Sequence, residues 1–214
     1  MIKKLVAEAL GTFGIVFCGT GAIIINQHTN GAIGHAGIAI TFGFIVTVMI
    51  YVFGNISGAH LNPAVSIALS AIKLFPVNHL AGYVTAQCIG ALCASALLKF
   101  LFPLNELLGS TTPAGSLMQS LVFEFILTFI LMLSILFVAK GEFSKIAGIV
   151  IGMVILLEAM FAGPVSGASM NPARSLAPAL LSMHMSTLWI YLLAPITGAI
   201  GAAFLWRWLT ANRN

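Results

Sequence analysis

SGAHLNPAVS, residues 57–66, returns 109 positions later as SGASMNPARS, residues 166–175. Seven of the ten positions are identical, and Asn-Pro-Ala stands at the same place in both copies. Each asparagine reads as the start of a helix: Asn62 and Asn171 as N-caps, with Pro63 and Pro172 at the first helical position. A proline there gives up an N–H that would have had no partner in any case. The short apolar stretches that follow, roughly 63–74 and 172–181, predict helices of about 15 Å, half of a hydrocarbon core. Gly58 and Gly167 allow the irregular chain that must come just before.

Working outward, the composition says what surrounds the two boxes. The 214-residue chain is 60% hydrophobic and 7% charged, with a mean hydropathy of +1.08. A soluble domain carries about 25% charged residues. Six apolar spans are predicted, at 5–26, 36–54, 79–102, 117–138, 146–163 and 187–209. The first holds Glu8 and lacks a small-residue cleavage site, which favours a span over a cleaved signal peptide. The chain therefore reads as an all-α integral membrane protein, a single domain 1–214 built from a first repeat, 1–102, and a second, 103–214.

Charge orients the spans. Lys3, Lys4, Lys73, Lys140, Lys145, Arg207 and Arg213 all fall on one side of a six-span chain, and the opposite connections, 26–35 and 103–116, hold no Lys or Arg. The positive-inside rule puts both termini in the cytoplasm. The net charge of +4 forms no basic stripe suited to nucleic acid. With the spans oriented, the half-helices enter from opposite faces and meet N-terminus to N-terminus near the midplane. Inverted repeats with broken helices recur in membrane transport proteins. Each N-terminus carries roughly half a positive charge, so cations and protons are disfavoured where the two converge.

At this point the whole chain resembles the aquaporin, or major intrinsic protein, family: paired Asn-Pro-Ala boxes on half-helices in a duplicated six-span chain. The repeat extends beyond the boxes. Ala7-Glu8 with Gly11-Thr12-Phe13 is echoed by Phe123-Glu124 with Thr128-Phe129, and Gln87 to Ala91 by Pro195 to Ala199. The resemblance implies a homotetramer with one pore per protomer and no cofactor or metal. It implies pore roles for Asn62, Pro63, Ala64, Asn171, Pro172 and Ala173, the two asparagines turning amide donors into the lumen. It also implies a selectivity filter at Phe42, Ala159, Ala168 and Arg174, counted from the boxes. Arg174 reads alternatively as a snorkelling interfacial cation.

Glu8 and Glu124 are repeat-related carboxylates inside spans, readable as proton relays. The resemblance implies instead that they brace the box loops, with His60 hydrogen-bonded beside them. Cys18, Cys88 and Cys93 have no metal spacing and read as packing residues. Gly82, Ala86, Gly90, Ala91, Gly198, Ala199, Gly201 and Ala202 suit close helix packing, within or between protomers.

A water-selective member has a histidine where this chain has Ala159. The run from Ala162 to Leu180, and Tyr191-Leu192, resemble the nodulin-like branch and its bacterial relatives. Ser175 stands where glycerol facilitators carry aspartate, and Phe42 where they favour tryptophan. The expected function is passive passage of water and small neutral solutes, glycerol and metalloid hydroxides among them, across the cell (inner) membrane. A strictly water-selective channel and a proton-coupled transporter are the alternatives. No Ser-His-Asp, metal or nucleotide constellation suggests an enzyme. Glu158, one residue and about 100° from Ala159, reads either as a buried acid bonded to backbone or as an acceptor at the pore wall.

Overall fold

The computed structural model describes residues 1–139 and 143–211, so Lys140 and Arg213 of the charge argument lie outside the described residues. Among the described residues, six long helices are apolar enough to cross a membrane. They are α1 (Ile2–His28), α2 (Gly34–Ser57), α4 (Val77–Leu101), α5 (Leu117–Ala139), α6 (Ala147–Ser166) and α8 (Leu188–Thr210). The short helices α3 (Pro63–Ala71) and α7 (Pro172–Ser182) follow the two boxes, and a single 3-10 turn, Ser144–Ile146, leads into α6. The ends of the long helices fall within three residues of the predicted spans. Helix α3 is shorter than predicted, ending at Ala71 rather than near 74.

The end of α3 has a local cause. Lys73 takes a left-handed conformation (φ 62°), and the Leu74 N–H turns back to the Leu69 carbonyl at 2.9 Å, closing the helix. A lysine in that position does not announce a stop as glycine would.

In each half the outer helices pack tightly: α1 on α2 and α4, α5 on α6 and α8, with α2 against α6 joining the halves. Two repeat-related glycines set the closest approaches. A Cβ on Gly90 would overlap the backbone of Ala9, and one on Gly198 the backbone of Phe125. Gly82 faces Leu5 and Gly201 faces Phe129, so these small residues of the packing pattern serve contacts within the protomer. The half-helices cross over: α3 lies mainly against α8, and α7 against α4 as well as α8. Each half therefore encloses the short helix of the other.

The outer face is apolar. Phe44 is 62% exposed, Phe100 80% and Trp208 73%. An outward face of this kind is stable only against lipid or another apolar surface. The polar residues are inside instead: Glu8, Gln87, Glu124, Asn62, Asn171 and Arg174 are all buried.

Candidate functional site

The site starts with two stretches of costly backbone. After the left-handed Gly58 (φ 88°), Ala59 (φ 46°) and Leu61 (φ 51°) are left-handed too. After Gly167 (φ 86°), Ala168 (φ 41°) and Met170 (φ 54°) repeat the pattern. A non-glycine residue held in this region costs about 1–2 kcal/mol. The loops persist because this conformation aims successive N–H groups inward, where a carboxylate collects them.

Glu8 accepts from the His60 N–H (3.0 Å), the Leu61 N–H (2.7 Å), the Ser57 hydroxyl (2.6 Å) and the Gln87 amide (2.7 Å). Glu124 accepts from the Ser169 N–H, the Met170 N–H and the Ser166 hydroxyl, each at 2.9 Å. Both carboxylates are fully buried. The fourth donor to Glu8 has no counterpart, because Pro195 stands where the repeat has Gln87. His60 turns its Nδ1 to the Ser66 hydroxyl at 3.0 Å and rests against Phe75 and Tyr83.

The loops end in the two asparagines, both extended in backbone (φ −156° and −146°). Asn62 Oδ1 accepts from the Ala64 N–H at 2.9 Å, and Asn171 Oδ1 from the Ala173 N–H at 3.0 Å. Their amides also cross the centre. Asn62 Nδ2 donates to the Met170 carbonyl at 2.8 Å, and Asn171 Nδ2 to the Leu61 carbonyl at 2.9 Å. The N-termini of α3 and α7 are thus clasped head to head. An amide nitrogen has two N–H groups, so each asparagine keeps one after the clasp.

Both asparagines line a cavity of about 260 Å³. Its apolar wall comes from α2, α5 and α6, with Val46, Ile50, Leu131, Ile135, Ile151 and Ile155 among the lining residues. Its other side is formed by the loop residues Gly58 to Asn62 and Ala168 to Asn171. Phe42, Ala159, Ala168 and Arg174 line the same cavity. The Arg174 guanidinium lies 5.1 Å from the centre of the Phe42 ring, close enough for a cation–π attraction. The ring in turn occupies space left by Gly19, where a Cβ would overlap it. Arg174 is 2% exposed and does not reach out to an interface, which removes the snorkelling reading.

Sequence reasoning missed what holds the arginine. Its Nη1 donates to the carbonyl of Gly109, in the connection between α4 and α5, at 3.0 Å. That connection is tied down in turn: the Thr111 hydroxyl lies 2.7 Å from that of Ser175, which is 2.5 Å from that of Ser169. Lys99 also went unread; its Nζ donates to the Leu181 carbonyl at 2.7 Å, at the C-terminal end of α7. Cations are favoured there by the helix dipole. Nothing in the local sequence of either connection signals these partners.

Glu158 departs from both of its readings. It is 6% exposed, is not among the residues lining the cavity, and neither carboxyl oxygen has a hydrogen-bond partner among the described residues. A buried polar group without a partner costs about 1–3 kcal/mol. By the 109-residue repeat its counterpart is Met49, an apolar side chain of similar length. Glu158→Met should therefore raise the thermal midpoint in detergent, corresponding to roughly 1–3 kcal/mol, with solute flux unchanged. A lower midpoint would mean that Glu158 has a partner that is lost. Cys18 and Cys88 are partly buried and Cys93 is exposed; all three are free thiols.

Comparison with known proteins agrees with the fold. The family described as Major intrinsic protein matches residues 1–206. Aquaporin NIP1-1 of Oryza sativa subsp. japonica is 45% identical over 206 residues, covering 95% of this chain and 72% of its own. Nodulin-26 of Glycine max is 46% identical over 211 residues, covering 96% of this chain and 77% of its own. The X-ray structure of the aquaglyceroporin from Plasmodium falciparum matches with a TM-score of 0.86 at 30% identity, over 96% of this chain and 95% of that one.

Proposed function

The chain belongs to the major intrinsic protein family and is a multi-pass membrane channel for water and small neutral solutes such as glycerol; we propose that Phe42, Ala159, Ala168 and Arg174 form its selectivity filter and the two Asn-Pro-Ala boxes its central barrier to cations. The observation that carries this reading is the meeting of all eight features, four filter side chains, two asparagines and two helix N-termini, along one cavity.

The mechanism follows from the two unlike sides of that cavity. The free N–H of each asparagine donates to the oxygen of a passing molecule and turns it, which interrupts a chain of waters that could relay protons. The converging helix N-termini there, and Arg174 at the filter, raise the energy of a cation. At the filter, Arg174 supplies donors while Phe42 and the methyl groups of Ala159 and Ala168 supply an apolar wall. A polyol suits such a ring, since its hydroxyl edge and its C–H edge each find a matching side. Movement is passive and bidirectional. Glu8 and Glu124 act as braces, their oxygens already engaged by loop donors, so neither is a free carboxylate for a proton-coupled cycle.

Around this core the chain forms two repeats, 1–102 and 103–214. It assembles as a homotetramer and lies in a cell (inner) membrane. Lys3, Lys4, Lys73, Lys145 and Arg207 set both termini on the cytoplasmic side. Stopped-flow light scattering on proteoliposomes tests the reading. Fast shrinkage in an impermeant osmolyte and fast re-swelling in glycerol are expected, with boric acid, a neutral metalloid hydroxide, as the next solute. Shrinkage without re-swelling would make it a strictly water-selective channel. Neither response above empty liposomes would overturn the channel itself.

A further inference from the structure

Helix α6 contains Pro164, and an α-helical proline has no N–H to give the carbonyl four residues before it. That carbonyl belongs to Met160, the residue directly after Ala159. It is not left bare: the imidazole Nε2 of His35 lies 2.7 Å from it. A carbonyl can only accept, so Nε2 carries the hydrogen in this arrangement. The ring reaches this point because Gly163 leaves room for it, and a Cβ there would come within 2.9 Å of His35 Cε1.

His35 sits in the first turn of α2, seven residues, or about two turns, before Phe42. Met160 follows Ala159 at the start of the segment that runs through the end of α6 to Ala168. The bond thus joins the helix bearing Phe42 to the segment bearing two other filter positions.

We infer that His35 is a positioning residue for the filter: its Nε2–H replaces the backbone N–H that Pro164 lacks and fixes the width between Phe42 and Ala159. This rests on the filter reading given above. Without the bond, the Met160 carbonyl turns toward water, the 160–166 segment moves off α2, and the ring admits longer polyols.

A cycle of four variants tests it in proteoliposomes. His35→Ala and Gly163→Ala should each raise the ratio of erythritol to glycerol uptake by roughly threefold or more, the scale of one lost hydrogen bond. His35→Gln, which keeps a donor, should stay near wild type. Adding Pro164→Ala to His35→Ala restores a backbone N–H to the Met160 carbonyl, so the double variant should return to the wild-type ratio. A double variant no closer to wild type than His35→Ala, or an unchanged ratio in His35→Ala itself, overturns the proposal. If His35→Ala does not accumulate, normal accumulation of the double variant supports it and failure of both overturns it. A wild-type channel that excludes glycerol would defeat the wide-filter reading alone. The same pattern of loss and rescue would then be expected, and required, in osmotic water permeability.

Discussion

Glu8→Leu is expected to abolish the folded channel, and Glu124→Leu to damage it somewhat less. The first change strands four donors around a buried site, two of them backbone N–H groups of left-handed residues or their neighbours. The second strands three. Each buried donor left without a partner costs about 1–3 kcal/mol, so the losses are on the order of 4–12 and 3–9 kcal/mol before the loops relax. Such losses are comparable with the whole stability of an ordinary domain. The check is the yield of monodisperse protein in mild detergent, with the thermal midpoint of whatever survives. The order of severity is the sharper part of the expectation, because it follows from Gln87 having no equivalent at Pro195. Equal losses would mean that the Gln87 bond contributes nothing.

Ala159→His should lower glycerol flux by roughly 10–100-fold, equivalent to about 1.4–3 kcal/mol on the barrier, and leave water flux within about twofold. The imidazole would fill the space opposite Arg174 that the methyl leaves open and replace apolar wall with a polar group. Water needs only a narrow path and a donor, and Arg174 still supplies one. A polyol needs the width and the apolar side together, and loses both. The measurement is the stopped-flow pair already described, with matched protein content per liposome. Glycerol flux that survives the histidine would place the narrowest point elsewhere along the cavity.

Most of the architecture could be read from residues alone, because a bilayer leaves few solutions for apolar stretches of this length. The repeated boxes gave away the half-helices, since an Asn N-cap with Pro at the first helical position recurs in register before an apolar stretch. Counting from them brought Phe42, Ala159, Ala168 and Arg174 to one cavity, with family resemblance as the guide. What stayed hidden depends on how distant chain segments meet. The carbonyl of Gly109 holds Arg174 across 65 residues, and His35 reaches Met160 across 125. Neither pairing leaves a periodic trace. Glu158 misled for the opposite reason: its position beside Ala159 suggested a partner or a pore role, and the helix turns it away from both.

The clasp between the two asparagines also bears on how the protein is made. Asn62 binds the Met170 carbonyl and Asn171 binds the Leu61 carbonyl, so neither loop can finish itself. Synthesis delivers the N-terminal half first. While the ribosome is still adding α5 and α6, α3 has no opposing half-helix and the Leu61 carbonyl has no amide to meet. The passage comes into being only when the chain has grown past Asn171. A nascent chain abandoned before that point leaves the membrane without a hole.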